Sequence, residues 1–351
     1  MPEKVLVGMS GGVDSSAAVL LLQDAGYEVS GLTLRLCTQE GSAAERDARQ
    51  AAEKLGIHHW IEDLRPQFAR LVIRPFIEEY ERGNTPNPCI VCNRTVKFGE
   101  MRRIAMEKEQ QYLATGHYVR KRYDAASGRY MLERAADRMK DQTYFLYSLS
   151  QEQLAAALFP MGELCKAEAR ELAAAHGLVN ARRADSQDIC FVPDGDYTAF
   201  IERITKNKPR PGKFIHQNGQ VLGTHQGLIH YTIGQRKGLG IAYEYPLYVI
   251  DKDIASNTVI LGPNDALFQK ALLAENCNLI AIDKLEAPLR VTAKTRYRQK
   301  DVPAVIEPLA DGKIKVTFDE LQRAITPGQA VVFYDGDYVV GGGIIAAPLK
   351  E

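Results

Sequence analysis

The sequence predicts an α/β protein: a doubly wound parallel sheet, followed by a small central domain and a C-terminal β-barrel. Three observations predict it. The first half alternates apolar, strand-like runs with helical stretches that end at glycines. A Gly-Gly turn, Ser10-Gly11-Gly12-Val13-Asp14-Ser15, stands between the first strand and the first helix. Beyond residue 204 the pattern changes to short strands separated by turn dipeptides such as Asn218-Gly219, Asp311-Gly312 and Asp335-Gly336. The expected domains are residues 1–204, 205–271 and 272–351.

Val5–Gly8 reads as a buried strand and Asp14–Ala25 as a helix ending at Gly26. A strand over Val29–Leu34, a helix over Ala43–Leu55 closed by Gly56, and a strand over Ile57–Ile61 follow. Helical patterns cover Phe68–Tyr80 and Asn93–Lys108, and Tyr112–Thr115 is a further short strand. In such a sheet, ligands sit at the carboxyl ends of the strands. That places Ser10–Ser15, Leu32–Leu34 and Thr115-Gly116-His117 along one edge. Tyr118–Tyr123 and Arg129–Glu133 form a hairpin pattern, and helices are expected at Gln151–Leu158 and Lys166–His176. Lys206–Gly212 reads as a linker. Strands then fall at Gly212–Phe214, Leu247–Ile250 and Val259–Leu261, with a basic glycine-rich loop at Gly234–Gly240. The barrel is assembled from Arg290–Arg298, Ala304–Glu307, Lys313–Phe318, Ala330–Tyr334 and Val339–Ile345.

At 351 residues the chain has room for two or three domains, and 45% hydrophobic with 25% charged residues is a globular composition. No apolar run reaches membrane-spanning length, and Met1-Pro2-Glu3-Lys4 leads straight into a strand. A cytoplasmic protein without a membrane partner is the expectation. Lys and Arg number 44, as do Asp and Glu, so net charge gives no sign of a nucleic-acid partner. The basic residues are nevertheless clustered, at Arg203, Lys206, Lys208, Arg210 and Lys213, and at Arg290, Lys294, Arg296, Arg298 and Lys300. Six scattered cysteines argue for thiols, metal or catalysis rather than a disulfide framework.

A strand, a tight Gly-Gly turn and a helix N-terminus make an anion site, because free N–H groups of the first turn point at the ligand. Ser10 and Ser15 add hydroxyl donors, and Asp14 is placed to cap the helix or help hold Mg²⁺. The Gly-Lys-Ser/Thr ending of a Walker loop is absent. The string resembles the pyrophosphate-binding loop of the PP-loop ATP pyrophosphatases, which split ATP between its α and β phosphates to adenylate a substrate.

Thr85-Pro86-Asn87-Pro88-Cys89-Ile90-Val91-Cys92 sets two cysteines ahead of a helix, where a thiol pKa is lowered, so Cys92 is expected to be partly thiolate. Cys190 lies in Asp185–Phe191, whereas Cys37, Cys165 and Cys277 read as small packed apolar residues. With these strings the chain resembles the bacterial tRNA-specific 2-thiouridylases. The likeness runs through Gly8–Ser15, Asn87–Phe98, Ala114–Tyr118, Lys140–Leu146, Ser186–Phe191, Gly227–Gly240 and Lys294–Gln299, which is nearly the whole chain.

The resemblance implies an adenine nucleotide alpha hydrolase-like sheet and 2-thiolation of a wobble uridine in the tRNA anticodon stem-loop. ATP would lie among Gly8, Met9, Ser10, Gly11, Gly12, Val13, Asp14, Ser15, Leu34 and Gly116. Asn87, Pro88 and Cys89 would face the base, with Lys140, Asp141, Gln142, Arg296 and Tyr297 on the tRNA. Cys190 would receive a persulfide from a cysteine desulfurase or sulfur-carrier protein, and Cys92 would assist release of that sulfur.

The chemistry is coherent, because a uridine carbonyl is a poor electrophile until its oxygen becomes an AMP ester. Lys294, Arg296, Arg298 and Lys300 share one parity on the expected strand, as an RNA-backbone contact needs; an edge strand made basic against aggregation is the lesser alternative. His117 reads as a satisfied loop histidine. One departure matters: the family motif Asn-Pro-Asp-x-x-Cys has Cys89 in place of its aspartate. Three thiols, Cys89, Cys92 and Cys190, suit a 4Fe–4S cluster with one open iron. Cluster and persulfide stand as alternatives. Two rival functions remain: another adenylating ligase or tRNA-modifying enzyme of the superfamily, and an RNA-binding protein with a retired ATP loop. The intact Ser10, Asp14 and Ser15 speak against the second.

Overall fold

The computed structural model describes residues 2–178, 189–192 and 194–349. The apolar runs of the first third become strands β1 (Lys4–Gly8), β2 (Glu28–Arg35), β3 (His58–Asp63) and β4 (Tyr112–Ala114). The hairpin follows as β5 (Arg120–Asp124) and β6 (Arg129–Glu133), and β7 (Ala157–Leu158) returns to the first sheet. That sheet is parallel, in the order β3-β2-β1-β4-β7. Alternation along β1 sends Val5 and Val7 to one face and Leu6 to the other, and all three are fully buried. The first face carries α1 (Val13–Asp24), α2 (Ala43–Lys54) and the helix Lys166–Ala175, packed through Ala17, Ala48 and Ala169. The second face carries two long helical runs. One joins Arg65–Phe68, a π-type segment Ala69–Ile73 and Arg74–Glu81; the other joins Pro88–Cys92, a π-type segment Asn93–Glu100 and Met101–Glu107. Phe68, Phe76, Phe98 and Met101 fill the space beneath them.

One local expectation is corrected here, and one element is added. The helix from Gln151 stops at Ala156, because Ala157 and Leu158 pair with Leu113 and Ala114 as the edge strand β7. A helix at Tyr197–Thr205, capped by Asp196 accepting from Ala199 N at 2.9 Å, precedes the linker.

The central part forms a sheet from β8 (Gly212–His216), β9 (Val221–His225), β10 (Tyr248–Asp253) and β11 (Thr258–Gly262), in the order β10-β11-β8-β9. The C-terminal part runs through β12 (Phe268–Leu279), β13 (Leu289–Lys294), β14 (Val302–Pro308), β15 (Ile314–Arg323), β16 (Ala330–Asp335) and β17 (Tyr338–Leu349). Each pairs antiparallel with its neighbours in the order β12-β15-β14-β13-β16-β17, and β17 pairs back onto β12, closing the barrel. Closure leaves no free edge in the ring, and Ala293, Val316, Phe318 and Phe333 fill its interior. Among the described residues, no helix is long and apolar enough to cross a membrane.

The β5–β6 hairpin does not stay with the nucleotide half. Glu133 pairs with Tyr338, Arg134 N donates to Asp337 O at 2.9 Å, and Arg129 Nε donates to Ile280 O at 2.9 Å. A second tie lies near the cysteines: Thr85 N donates to Pro327 O at 2.9 Å and Gln329 Nε2 to Thr85 O at 2.6 Å.

The expected basic strand face is also corrected. Strand β13 ends at Lys294, because Thr295 N and Oγ1 both donate to Gln299 Oε1, at 3.2 and 2.8 Å, and close a bend. Lys294 is buried, with its ammonium 5.4–5.9 Å from the ring centres of Tyr144, Tyr297 and Tyr334. Arg296, Arg298 and Lys300 are exposed, but they do not share a strand face with it.

Candidate active site

Strand order reverses between β1 and β4, and the crevice that opens there is where α/β sheets bind ligands. Gly8 ends β1, and Met9 is held by its N–H to Leu32 O and by Thr33 Oγ1 to its carbonyl, both at 2.8 Å. The loop then folds on itself: Ser15 Oγ donates to Gly12 O at 3.0 Å and accepts from Ser10 N at 3.3 Å, while Gly12 N reaches Ser10 Oγ at 3.4 Å. Gly11 is required, with φ +74° and a Cβ that would lie 2.6 Å from Ala44 O. Gly116, just beyond β4, is pressed against the same loop: a Cβ there would sit 2.9 Å from Asp14 C and Ser15 N. The structure therefore brings Gly8–Ser15 and Gly116 together around the N-terminus of α1. Leu34 lies at the carboxyl end of the neighbouring strand β2.

Asp14 does not cap the helix. Gly12 occupies the cap, and Asp14 is turned to Lys166, whose Nζ donates to both carboxylate oxygens at 2.7 Å; Tyr118 OH adds a third bond at 2.8 Å. Lys166, from a helix 152 residues away in sequence, had no signal beyond its place at a helix start. The carboxylate expected to help hold Mg²⁺ is thus filled by an ammonium and a phenol, and it does not fit as a metal ligand in this arrangement.

From Gly116 the site continues into the thiols. His117 is buried and bonds Thr115 Oγ1 through Nδ1 at 2.7 Å; its Nε2 lies 3.5 Å from Lys97 Nζ. Burial, with Lys97 adding to it, holds the imidazole well below its usual pKa and hence neutral, as a satisfied histidine. The Lys97 charge in turn reaches Cys89, Cys92 and Cys190 and favours their thiolates.

Cys92 corrects the expectation of a thiolate. The helix begins at Pro88, with Asn87 Oδ1 accepting from Cys89 N at 3.2 Å, so Cys92 lies one turn inside a run that continues to Glu107. It is buried, and burial pushes its thiol up to about 12 against the opposing pull of Lys97. Cys89 is exposed at its surface, yet the protein around it also shifts its thiol upward. Cys190 is exposed; the preceding residues 185–188 of its motif lie outside the described residues.

Cys37 is the residue that sequence reasoning missed. It is exposed rather than packed, and its Sγ donates to Cys190 O at 3.5 Å across 153 residues. The Cys190 thiol stabilises the Cys37 thiolate and lowers that pKa to about 7, while Cys190 itself is raised. The sequence signal was only its position three residues after Leu34, at the carboxyl end of β2. Cys277 packs against the barrel core, as expected.

The 4Fe–4S expectation can be tested on the donor set. Among the described residues, no three Cys, His, Asp or Glu side chains approach one another as ligands of one metal would. The three thiols share an electrostatic neighbourhood but do not fit a cluster as placed.

The residues expected on the tRNA fall into two groups. Asp141 is buried, accepting from Ala135 N at 3.1 Å and from Thr143 Oγ1 at 2.7 Å, bonds that hold the local fold. Gln142 is likewise engaged, its Oε1 accepting from Tyr118 N at 2.9 Å. Arg296 donates to Ala324 O and Thr326 Oγ1, at 3.2 and 2.9 Å, in the loop whose Pro327 holds Thr85 ahead of Asn87 and Pro88. Tyr297 packs on Phe145, with ring centres 4.4 Å apart, and Phe145 O accepts from Asn93 Nδ2. Arg296, Tyr297, Asn87 and Pro88 are therefore gathered where the barrel meets the cysteine helix.

Comparison with known proteins agrees with this layout. Residues 3–194 match the family described as the tRNA methyl transferase HUP domain, 198–263 the tRNA methyl transferase PRC-barrel domain, and 269–345 the aminomethyltransferase beta-barrel domain. The chain is 51% identical over 359 aligned positions to tRNA-specific 2-thiouridylase MnmA 2 of Caldanaerobacter subterraneus subsp. tengcongensis, covering 99% of each chain. The chain belongs to the tRNA-specific 2-thiouridylase family. It is 50% identical to a 2-thiouridylase of Thermoanaerobacter sp. (strain X514), over 99% of each chain. Against that of Acetivibrio thermocellus it is also 50% identical, over 98% of this chain and 99% of the relative. The methyl-transfer wording belongs to the domain descriptions, whereas these full-length relatives are named for thiolation. Membership makes the chain an enzyme, a tRNA-uridine 2-sulfurtransferase.

Proposed function

We propose that this enzyme replaces the 2-carbonyl oxygen of a tRNA wobble uridine by sulfur, at the expense of ATP. One observation carries the reading: Gly116 is pressed against the Asp14–Ser15 backbone, and the next residue, His117, meets the lysine whose charge reaches three thiols. Nucleotide loop and sulfur chemistry thus share one crevice.

The loop N–H groups and the positive end of α1 bind the ATP phosphates. The uridine O2 attacks the α-phosphorus and pyrophosphate leaves, so that the base carries an AMP ester. A sulfur nucleophile then attacks C2, and AMP departs with the former carbonyl oxygen. Holding ester and sulfur in one crevice makes the second step effectively unimolecular. Cys190 is the sulfur-accepting residue of this reading, because its exposure lets a cysteine desulfurase or sulfur-carrier protein reach it. Lys97 favours the anionic sulfur, and Asn87, Pro88, Cys89, Lys140, Arg296 and Tyr297 position the RNA. No step is routed through Mg²⁺ or an iron–sulfur cluster, since neither donor set fits as placed.

The test is thiolation of an unmodified tRNA transcript with ATP and a persulfide donor, followed by nucleoside mass spectrometry beside iron and acid-labile sulfide content. Iron-free protein that makes 2-thiouridine, with Cys190→Ser inactive in thiolation but still releasing pyrophosphate in the presence of tRNA, supports the reading. Activity that follows iron content, and is lost with Cys89→Ala, replaces it by the cluster. Pyrophosphate release driven by a small substrate without tRNA returns the protein to another ligase class.

A further inference from the structure

Lys294 is a buried charge to which the reading above gives no task. It ends β13 and is 6% exposed, with its ammonium 5.4–5.9 Å from the ring centres of Tyr144, Tyr297 and Tyr334. Ring faces attract the charge but are poor acceptors for its three N–H donors. Among the described residues, the nitrogen makes no hydrogen bond and no ion pair. Two carboxylates act on it, and both are committed elsewhere. Asp141 accepts from Ala135 N and Thr143 Oγ1; Asp301 pairs with Arg134 at 3.0 Å and accepts from Thr292 Oγ1. Arg134, stacked 3.9 Å from the centre of the Tyr334 ring, repels the ammonium. A buried cation with its donors unmet is costly, and an anion with several oxygens would offset that cost.

Tyr144 and Tyr334 are fully buried whereas Tyr297 is half-buried, so the ammonium meets solvent past Tyr297. Arg296 and Arg298 flank Tyr297 in the chain and are exposed. The charges of Asp141, Arg298 and Asp137 reach its phenol; Asp137 is itself engaged, accepting from Met139 N and Lys166 N at 3.1 Å each. We propose that the opening behind Tyr297 is a phosphate seat, in which Lys294 binds a backbone phosphodiester of the tRNA anticodon loop. The inference rests on the tRNA reading given above. A phosphodiester suits the opening, because its single charge matches one ammonium and its two non-bridging oxygens supply the acceptors that the rings lack. Location suits it too. Tyr297 packs on Phe145, whose carbonyl accepts from Asn93 Nδ2 at 3.2 Å, and Asn93 follows directly on the helix that Asn87 caps. A phosphate held there fixes the RNA chain beside the segment expected to face the base.

The experiment measures binding of an unmodified tRNA transcript to the full-length enzyme over a salt series. Lys294→Met, which keeps an apolar chain among the rings, is expected to weaken binding about tenfold or more, as loss of a charge-assisted hydrogen bond does. Its salt slope should be smaller by about one unit, and Lys294→Arg should restore that slope. Transcripts carrying one neutral methylphosphonate linkage at each anticodon-loop position in turn identify the partner. At one position the neutral linkage should weaken wild type and leave Lys294→Met unchanged. An unaltered slope in Lys294→Met, with or without a lower Tm, overturns the seat and leaves Lys294 as a cation–ring tie between barrel and nucleotide domain. Lys294→Gln gives the same reading if the methionine variant does not fold. Failure of every linkage to couple with Lys294 overturns the seat as well. Wild-type enzyme that does not bind the transcript overturns the tRNA reading itself.

Discussion

Alanine at Gly116 tests the idea that β4 and the nucleotide loop form one rigid bed for ATP. The added Cβ would lie 2.9 Å from Asp14 C and Ser15 N and 3.0 Å from Asp14 Cβ, whereas ordinary contact begins at 3.4 Å. Two of these neighbours are backbone, so no rotamer change relieves the clash; the Gly116 segment and the start of α1 must part by about 0.5 Å, at a cost near 1–3 kcal/mol for overpacking. Gly116 does not occupy the left-handed region, so the penalty is steric rather than conformational. The protein should stay folded, with a Tm lower by roughly 2–4 °C for each kcal/mol lost. Catalysis should suffer more, because a misplacement of about 1 Å at a reacting centre costs about 100-fold. Half that displacement predicts a loss of about tenfold in kcat/KM for ATP, read as tRNA-dependent pyrophosphate release. A Gly116→Ala enzyme with unaltered kcat/KM for ATP would refute the contact between strand end and loop as a determinant of nucleotide binding.

Lys166→Met should lower stability by about 1–3 kcal/mol in urea unfolding, less than for a fully buried pair because the Asp14 side chain is 30% exposed. The same variant should raise KM for ATP, since the freed carboxylate faces the phosphates; an unchanged KM would show that the ion pair serves the fold alone. His117 has a folded-state pKa depressed below the unfolded value, so the unfolded chain binds more protons as pH falls through about 6.5. The stability contributed by the neutral imidazole is therefore present above that pH and lost below it. The fall in Tm between about pH 8 and pH 5 should be smaller in His117→Gln than in wild type. Lys140→Ala should weaken tRNA binding and reduce the salt slope by about one unit; an unaltered slope would place Lys140 off the phosphates.

The parallel half was legible because β1 and the middle of β2 are short apolar runs buried on both faces, and Gly26 and Gly56 terminate their helices at positive φ. The barrel was legible in number of turns but not in its first strand. β12, Phe-Gln-Lys-Ala-Leu-Leu-Ala-Glu-Asn-Cys-Asn-Leu, has register shifts against both β15 and β17, which break the period-two pattern on which a strand is read. The row Lys294, Arg296, Arg298 and Lys300 failed because one glutamine, Gln299, folds the chain back at Thr295, and nothing in the alternation of charges announces that bend. At the site, the glycines and serines were readable as a local string. Lys166 and Cys37 were not, since each meets its partner across about 150 residues of chain. Cys92 was misjudged because its helix starts a turn earlier than its sequence neighbours suggest, which exchanges a helix terminus for an interior position.

The β5–β6 hairpin also carries a message about biosynthesis. Its partner Tyr338 lies 205 residues downstream of Glu133. At synthesis rates of about 5–20 residues per second, that edge waits roughly 10–40 s for its strand to be made. Throughout that interval the nascent nucleotide domain presents β6 without the barrel strand that will shield it. Arg129 and Glu133 put charge on β6, the strand that waits, as gatekeepers against aberrant pairing do. An early hairpin is thus completed by β17, a barrel strand made 205 residues later, so a lesion in the barrel would reach the nucleotide domain.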